Sequence, residues 1–115
     1  MKKYDIVIAN LNPVRGAVKS GIRPCLVVQN NRSNESLMQT VVVIPLTTVS
    51  RGTYFAMPIT KSKRNGLKES CSLELAQVRA VDRSQIGKTI GNLDESFRTE
   101  LRQKLVHLFD INDEF

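Results

Sequence analysis

At 115 residues the chain is long enough to bury a core without disulfide or metal staples, and short enough to be one domain spanning 1–115. Its 17 Lys and Arg outnumber 11 Asp and Glu for a net +6: residues 1–68 carry eleven cations against Asp5 and Glu35 (+9), residues 69–115 six cations against nine acids (−3). Cys25 and Cys71 are too few and too isolated for a zinc site, and no signal peptide or membrane-length apolar run is read in the sequence.

A cytosolic, soluble protein without membrane contact is therefore expected. The basic half suits a polyanion, most simply a nucleic acid, although ordinary surface solubility would leave the same charge pattern. In chain order, Asp5 to Leu11 is a short apolar strand ended by a turn at Asn12-Pro13. The stretch from Arg15 to Asn31 then organises the chain: a basic, glycine-containing loop feeds an apolar strand from about Pro24 to Gln29. Pro opens a strand at little cost because its missing N–H matters least there, and it holds Arg23 out of the α region. Arg23 is thus either an anion-facing group fixed at a strand mouth or a solvated loop arginine. Cys25, inside the apolar run, reads as a small core residue.

Asn30, Asn31, Ser33 and Asn34 form a polar connection to a third strand, Thr40 to Thr48. The run Val41-Val42-Val43-Ile44 predicts burial on both faces, and Pro45 suggests an edge position or a bulge. Tyr54 to Ile59 is a fourth strand, followed by a basic turn holding Lys61, Lys63, Arg64 and Lys68. Ser72 to Val81 reads as one bulged strand, with Leu73, Leu75, Val78 and Val81 out of strict alternation. Asp82 to Gln85 starts a single helical turn before a short strand, Thr89 to Asn92.

The final element is a helix from Asp94 to Phe109. Asp94 is its candidate N-cap, with Asn92 and Glu95 as an alternative capping box. Phe97, Leu101, Leu105 and Leu108 make one apolar stripe, and the single histidine, His107, lies off it. Several short strands and one amphipathic helix predict a mainly β fold, a small antiparallel barrel with the helix laid against it.

The motifs, taken in order, resemble the MazF/PemK (Kid-like) toxins of type II toxin–antitoxin systems. The resemblance is carried by Asp5-Ile6-Val7 with Leu11-Asn12-Pro13, by Gly21-Ile22-Arg23-Pro24 followed by Leu26-Val27-Val28-Gln29-Asn30, and by Pro45-Leu46-Thr47. Gln77-Val78-Arg79-Ala80-Val81-Asp82 and Ile90-Gly91-Asn92-Leu93 complete it. It implies an SH3-like barrel, a homodimer, inhibition by a cognate MazE-like antitoxin, and sequence-selective, metal-independent cleavage of single-stranded RNA. The family's active-site arginine and threonine carry over to Arg23 and Thr47. Arg15, Lys19, Gln29, Asn30, Lys61, Lys63, Arg64, Gln77 and Arg79 are the expected RNA-binding residues. No cluster with metal-ligand spacing occurs, so no metal or other cofactor is expected.

Cleavage through a ribose 2′-hydroxyl needs a proton acceptor, stabilisation of the phosphorane and a proton for the leaving oxygen. A guanidinium suits the second task because it forks onto two phosphate oxygens. Many relatives have Glu-Gln where this chain has Val18 and Lys19, and an acidic residue where it has Ala76. The base is thereby unassigned; Glu74, two residues upstream on the same strand face, is a candidate substitute. Two rivals remain: a CcdB-like inhibitor binding DNA gyrase, and a non-catalytic RNA-binding barrel. The intact Gly-Ile-Arg-Pro motif and basic loops favour RNA.

Overall fold

The computed structural model describes residues 1–12, 21–49 and 52–111. Seven strands, β1 (Asp5–Asn10), β2 (Ile22–Val27), β3 (Thr40–Thr47), β4 (Ala56–Ile59), β5 (Cys71–Glu74), β6 (Arg79–Asp82) and β7 (Ile86–Asn92), form one antiparallel sheet. Along it the order is β4-β5-β3-β2-β1-β7, with β6 also paired to β3. A one-turn helix, α1 (Asn31–Asn34), follows β2, and α2 (Glu95–Phe109) ends the described chain.

Strand alternation builds two cores. Even-numbered side chains such as Ile6, Leu26, Ile44 and Leu46 face α2 and pack with Leu101. Phe97, Leu105 and Leu108 join that cluster, as the helical stripe predicts. Odd-numbered Val7, Cys25, Val27, Val41 and Val43 form the second cluster on the opposite face. In the run Val41 to Ile44, Val41 and Val43 enter the second core and Ile44 the first, so β3 lies between the two, while Val42 is half-buried and belongs to neither.

Four expectations need correction. First, Pro45 is not on an edge. β3 pairs with β2 on one side, and on the other with β6 (Thr40 to Val43) and then β5 (Leu46 and Thr47). The Val42 carbonyl accepts from the β2 side, through Val28 N at 3.1 Å, so by alternation Pro45 nitrogen faces the other side. There it meets the gap between the β6 and β5 ladders, where no N–H is wanted.

Second, Ser72 to Val81 is not one bulged strand. A 3-10 turn, Leu75–Gln77, divides β5 from β6, with Leu75 buried and its N–H donating to Phe55 O at 2.9 Å. Third, β2 begins at Ile22, so Pro24 is its third residue rather than its first. Fourth, Asp94 occupies the N-cap position of α2 without capping through its side chain. Its carboxylate accepts instead from Ser62 Oγ (2.7 Å) and Asn65 Nδ2 (2.9 Å). Burial pushes this carboxyl up, but those hydrogen bonds outweigh it and hold the group below its ordinary range. A capping box does form at Asp82 to Gln85, where a helical turn was expected.

The ladder does not close between β4 and β7, the two ends of the sheet. The turn between β4 and β5 fills that gap: Arg64 O accepts from Asn92 N of β7 at 2.9 Å. Asn65, 0% exposed, organises the turn by accepting from Ser62 N and Leu67 N and donating to Thr60 O and Asp94. The barrel-like shape expected from sequence is reached through this turn rather than through a continuous ladder.

Candidate active site at the splayed ends of β2 and β3

β2 and β3 pair as Val27↔Val43, Leu26↔Ile44 and Cys25↔Pro45, and the ladder stops there. The next hydrogen-bonded position would set Pro24 against Leu46, and Pro24 has no N–H to offer. The strand ends therefore part, and a cleft of about 780 Å³ opens between them. Its lining includes Arg23, Pro24, Thr47, Lys68, Glu69 and Lys88. Arg23 from β2 and Thr47 from β3, one on each of the parting strands, both line this cleft. Arg23 is half-buried and Thr47 is 7% exposed.

Arg79, on β6, is near Arg23 but is not among the residues lining the cleft. It stands opposite Val43, on the face of Cys25 and Arg23, and is electrostatically coupled to both. Burial holds its guanidinium below the ordinary value; Cys25 opposes that shift and the like charge of Arg23 adds to it. Burial likewise pushes the Cys25 thiol up to about 12, against the pull of Arg79 and Arg23, so it stays protonated and inert at neutral pH. Two arginines on one face, one of them sharing an open cleft with a threonine hydroxyl, suit a phosphodiester: guanidinium forks for the oxygens and a hydroxyl donor for charge that develops.

The remaining expected site residues disperse. Gln29 is buried; its Nε2 donates to Asn34 Oδ1 (3.1 Å) and its Oε1 accepts from Val42 N (3.3 Å). Asn30 caps α1 by accepting from Ser33 N at 2.8 Å. Both side chains are occupied in shaping the β2–β3 connection. Lys61 and Lys63 are exposed, and Arg64 bonds Asn92 Oδ1 (2.7 Å) and Glu95 (3.4 Å); none of the three lines the cleft. Gln77 is half-buried in the 3-10 turn. Arg15 and Lys19 lie outside the described residues. His107 is exposed and bonds Tyr54 Oη through Nδ1 at 2.8 Å, outside the cleft. Among the described residues no three His, Cys, Asp or Glu side chains come together as a metal site, and no helix is long and apolar enough to cross a membrane.

Sequence reasoning did not place Lys88 in the site. It precedes the expected start of β7 at Thr89, and only the longer strand carries it to the cleft.

A small antiparallel β-sheet backed by one helix, with arginine and threonine lining a cleft at its splayed strand ends, defines a class of barrel-like proteins. Residues 2–109 match the family of PemK-like, MazF-like toxins of type II toxin–antitoxin systems, and the chain belongs to that family. It is 30% identical over 109 residues to endoribonuclease MazF of Staphylococcus saprophyticus, covering 91% of this chain and 88% of that protein. Endoribonuclease EndoA of Bacillus subtilis is 26% identical over 105 residues, covering 91% and 90%. In fold, the chain matches the crystal structure of MazF from Deinococcus radiodurans with a TM-score of 0.82 at 22% identity, over 96% of each chain.

Proposed function

We propose that this chain is the toxin of a type II toxin–antitoxin pair and acts as a sequence-specific, metal-independent endoribonuclease on single-stranded RNA. One observation supports the reading: Arg23 and Thr47 line the same open, cationic cleft from the parting ends of β2 and β3, in a chain whose relatives are named endoribonucleases. Those names favour RNA cleavage over gyrase binding or passive RNA binding. In this reading Arg23 forks onto the phosphate that the 2′-hydroxyl attacks, and Thr47 donates to an oxygen that gains charge. Arg79 adds a second cation on the same face, and Lys68 and Lys88 hold flanking phosphates. The single toxin domain works in the cytoplasm as a homodimer, and an antitoxin encoded beside it occupies the basic cleft with acidic residues.

The test is incubation of the purified protein with a long single-stranded RNA, with and without EDTA. Discrete fragments carrying 5′-hydroxyl ends, formed at the same rate in both, are expected. A requirement for a divalent cation overturns the mechanism, and intact RNA overturns the activity. Thr47→Val keeps the shape of a buried strand residue and removes one donor, so cleavage should fall by roughly 10- to 100-fold with little change in thermal midpoint.

Lys61 and Lys63 form the outlying part of the RNA surface in this reading. Neutralising both should flatten the slope of log binding constant against log salt by about 1.4, at about 0.7 per phosphate contact, and leave the sequence preference intact. An unchanged slope removes these two lysines from the interface.

A further inference from the structure

Among the described residues that line the cleft, Arg23, Lys68 and Lys88 only donate hydrogen bonds, and the hydroxyls of Thr47 and Thr48 donate or accept. Glu69 is the exception, a carboxylate that only accepts. Glu74, the carboxylate expected from sequence, is buried and lines neither cavity. Glu69 is exposed and makes no ion pair with a described residue, although Lys68 precedes it directly. A carboxylate in a cleft that takes a polyanion works against binding, because it repels the phosphates beside it. A donor on the ligand offsets that repulsion, and in RNA the N–H donors are confined to the bases.

The backbone that carries Glu69 is held on both sides. Upstream, Asn65 ties the turn between β4 and β5, donating to Thr60 O at 2.9 Å. Downstream, Ser70 Oγ accepts from Lys61 N at 3.1 Å, and Cys71 Sγ donates to Glu69 O at 3.3 Å. The charge of Glu69 adds to burial in raising the Cys71 thiol, which places the carboxylate near Cys71. Cys71 and Thr48 line both the cleft and a second cavity of about 230 Å³, so Glu69 stands near the seam where the two meet. Ser72 also lines the second cavity; it is 7% exposed, and its Oγ has no hydrogen-bond partner among the described residues. A buried hydroxyl left unpaired costs stability unless a ligand completes it. Thr47 stands directly opposite Ser72 in the β3–β5 ladder, which sets the second cavity next to the cleft threonine.

We propose that Glu69 is a specificity-determining residue: its carboxylate reads the edge of an unpaired base lodged where the two cavities meet, accepting from an amino group and rejecting uracil. The inference rests on the endoribonuclease reading above. Cytosine offers its N4 amino group, adenine its N6 amino group, and guanine N1–H beside its N2 amino group. Each donates to a carboxylate, and the two parallel N–H groups of guanine match both oxygens. Uracil has one ring N–H set between two carbonyl oxygens, and those oxygens repel a carboxylate. The hydroxyls of Thr48 and Ser72 donate or accept as the base demands, so they do not make this choice. Because Thr47 is paired with Ser72, the base that Glu69 reads lies close to the phosphate that is cut.

Cleavage of a pool of single-stranded RNA of random sequence, with the fragment ends sequenced, tests this. Wild type should show a position near the cut where uracil is depleted by about 10-fold or more against an amino-bearing base. Glu69→Gln keeps the size of the side chain and turns one acceptor into a donor, so uracil should enter at that position alone. There kcat/KM on a uracil-bearing RNA should rise to within about threefold of the best base. Preferences at the other positions should persist. Glu35→Gln, which removes an exposed carboxylate outside both cavities, should match wild type throughout. The three proteins should melt together, since neither carboxylate is buried. An unchanged base preference in Glu69→Gln overturns the assignment, as does a wild type that tolerates uracil at every position near the cut. An equal loss of rate on every RNA with preferences intact also overturns it, and moves Glu69 from reading the base to the chemistry. Uncut RNA with the wild type overturns the endoribonuclease reading itself, and this inference with it.

Discussion

Arg23→Ala is expected to reduce RNA cleavage by about 100- to 1,000-fold, which corresponds to roughly 2.7–4 kcal/mol of transition-state stabilisation at a preorganised site. The position of Arg23 gives the loss its size. Residue 23 lies in β2 and pairs with Ala9 through the backbone, so alanine keeps the ladder that sets the cleft wall. The proline that follows fixes the residue in extended backbone, and the guanidinium starts in place instead of being recruited during the reaction. Stability should change little. Arg23 and Arg79 repel each other on one face, and removing either charge relieves the other, which offsets the packing lost with the side-chain stem. Arg23→Lys should fall between wild type and alanine, since an ammonium keeps the charge but not the two-pronged contact. Initial rates on one RNA, together with melting curves for the three proteins, check this. Cleavage by Arg23→Ala at the wild-type rate would remove Arg23 from the chemistry.

Much of this site is legible in the sequence because it lies beside strong local signals. Val- and Ile-rich runs mark β2 and β3, and Gly-Ile-Arg-Pro and Pro-Leu-Thr mark the strand ends where Arg23 and Thr47 stand. What those signals omit is the cleft itself, which opens where the β2–β3 ladder stops at Cys25↔Pro45 and has both residues in its lining. The misread features all depend on distant partners. Pro45 suggests an edge because a central strand usually needs every N–H, and the gap between two ladders on β3 arises only once β5 and β6 are placed. Leu73, Leu75, Val78 and Val81 have a spacing that a bulge and a 3-10 turn both produce; Phe55 O, twenty residues from the Leu75 N–H it accepts, accompanies the turn. Asp94 has the local signature of a cap, but Ser62 and Asn65, 32 and 29 residues away, hold its carboxylate. Gln29 and Asn30 show the converse: polar residues beside a functional motif are consumed by their own turn.

The second large effect concerns closure of the barrel and lies away from the chemistry. Gly91→Val is expected to lower stability by about 3 kcal/mol or more, the upper range for forcing atoms into a packed interior. For a chain of this size that is a fall of roughly 10 °C or more in thermal midpoint. A β-carbon at residue 91 would meet backbone on the facing turn, Arg64 O together with the carbonyl of Asn65. That backbone has nowhere to go, because buried Asn65 ties the turn through hydrogen bonds to Ser62, Leu67, Thr60 and Asp94. Gly66 makes the reciprocal approach, its absent β-carbon directed at Ile90 O, and its φ of +69° is itself unfavourable for other residues. The two glycines therefore let the β4–β5 turn lie against β7, where no strand ladder joins the sheet ends. Gly21→Ala is the control: φ is +81° but a β-carbon there meets nothing within 4 Å, so only the backbone penalty of about 1–2 kcal/mol applies. If Gly91→Val melts with wild type while Gly21→Ala does not, the turn is not the seam that closes the barrel. If Gly91→Val melts far below Gly21→Ala, the close approach of backbone at Gly91 holds the sheet ends together.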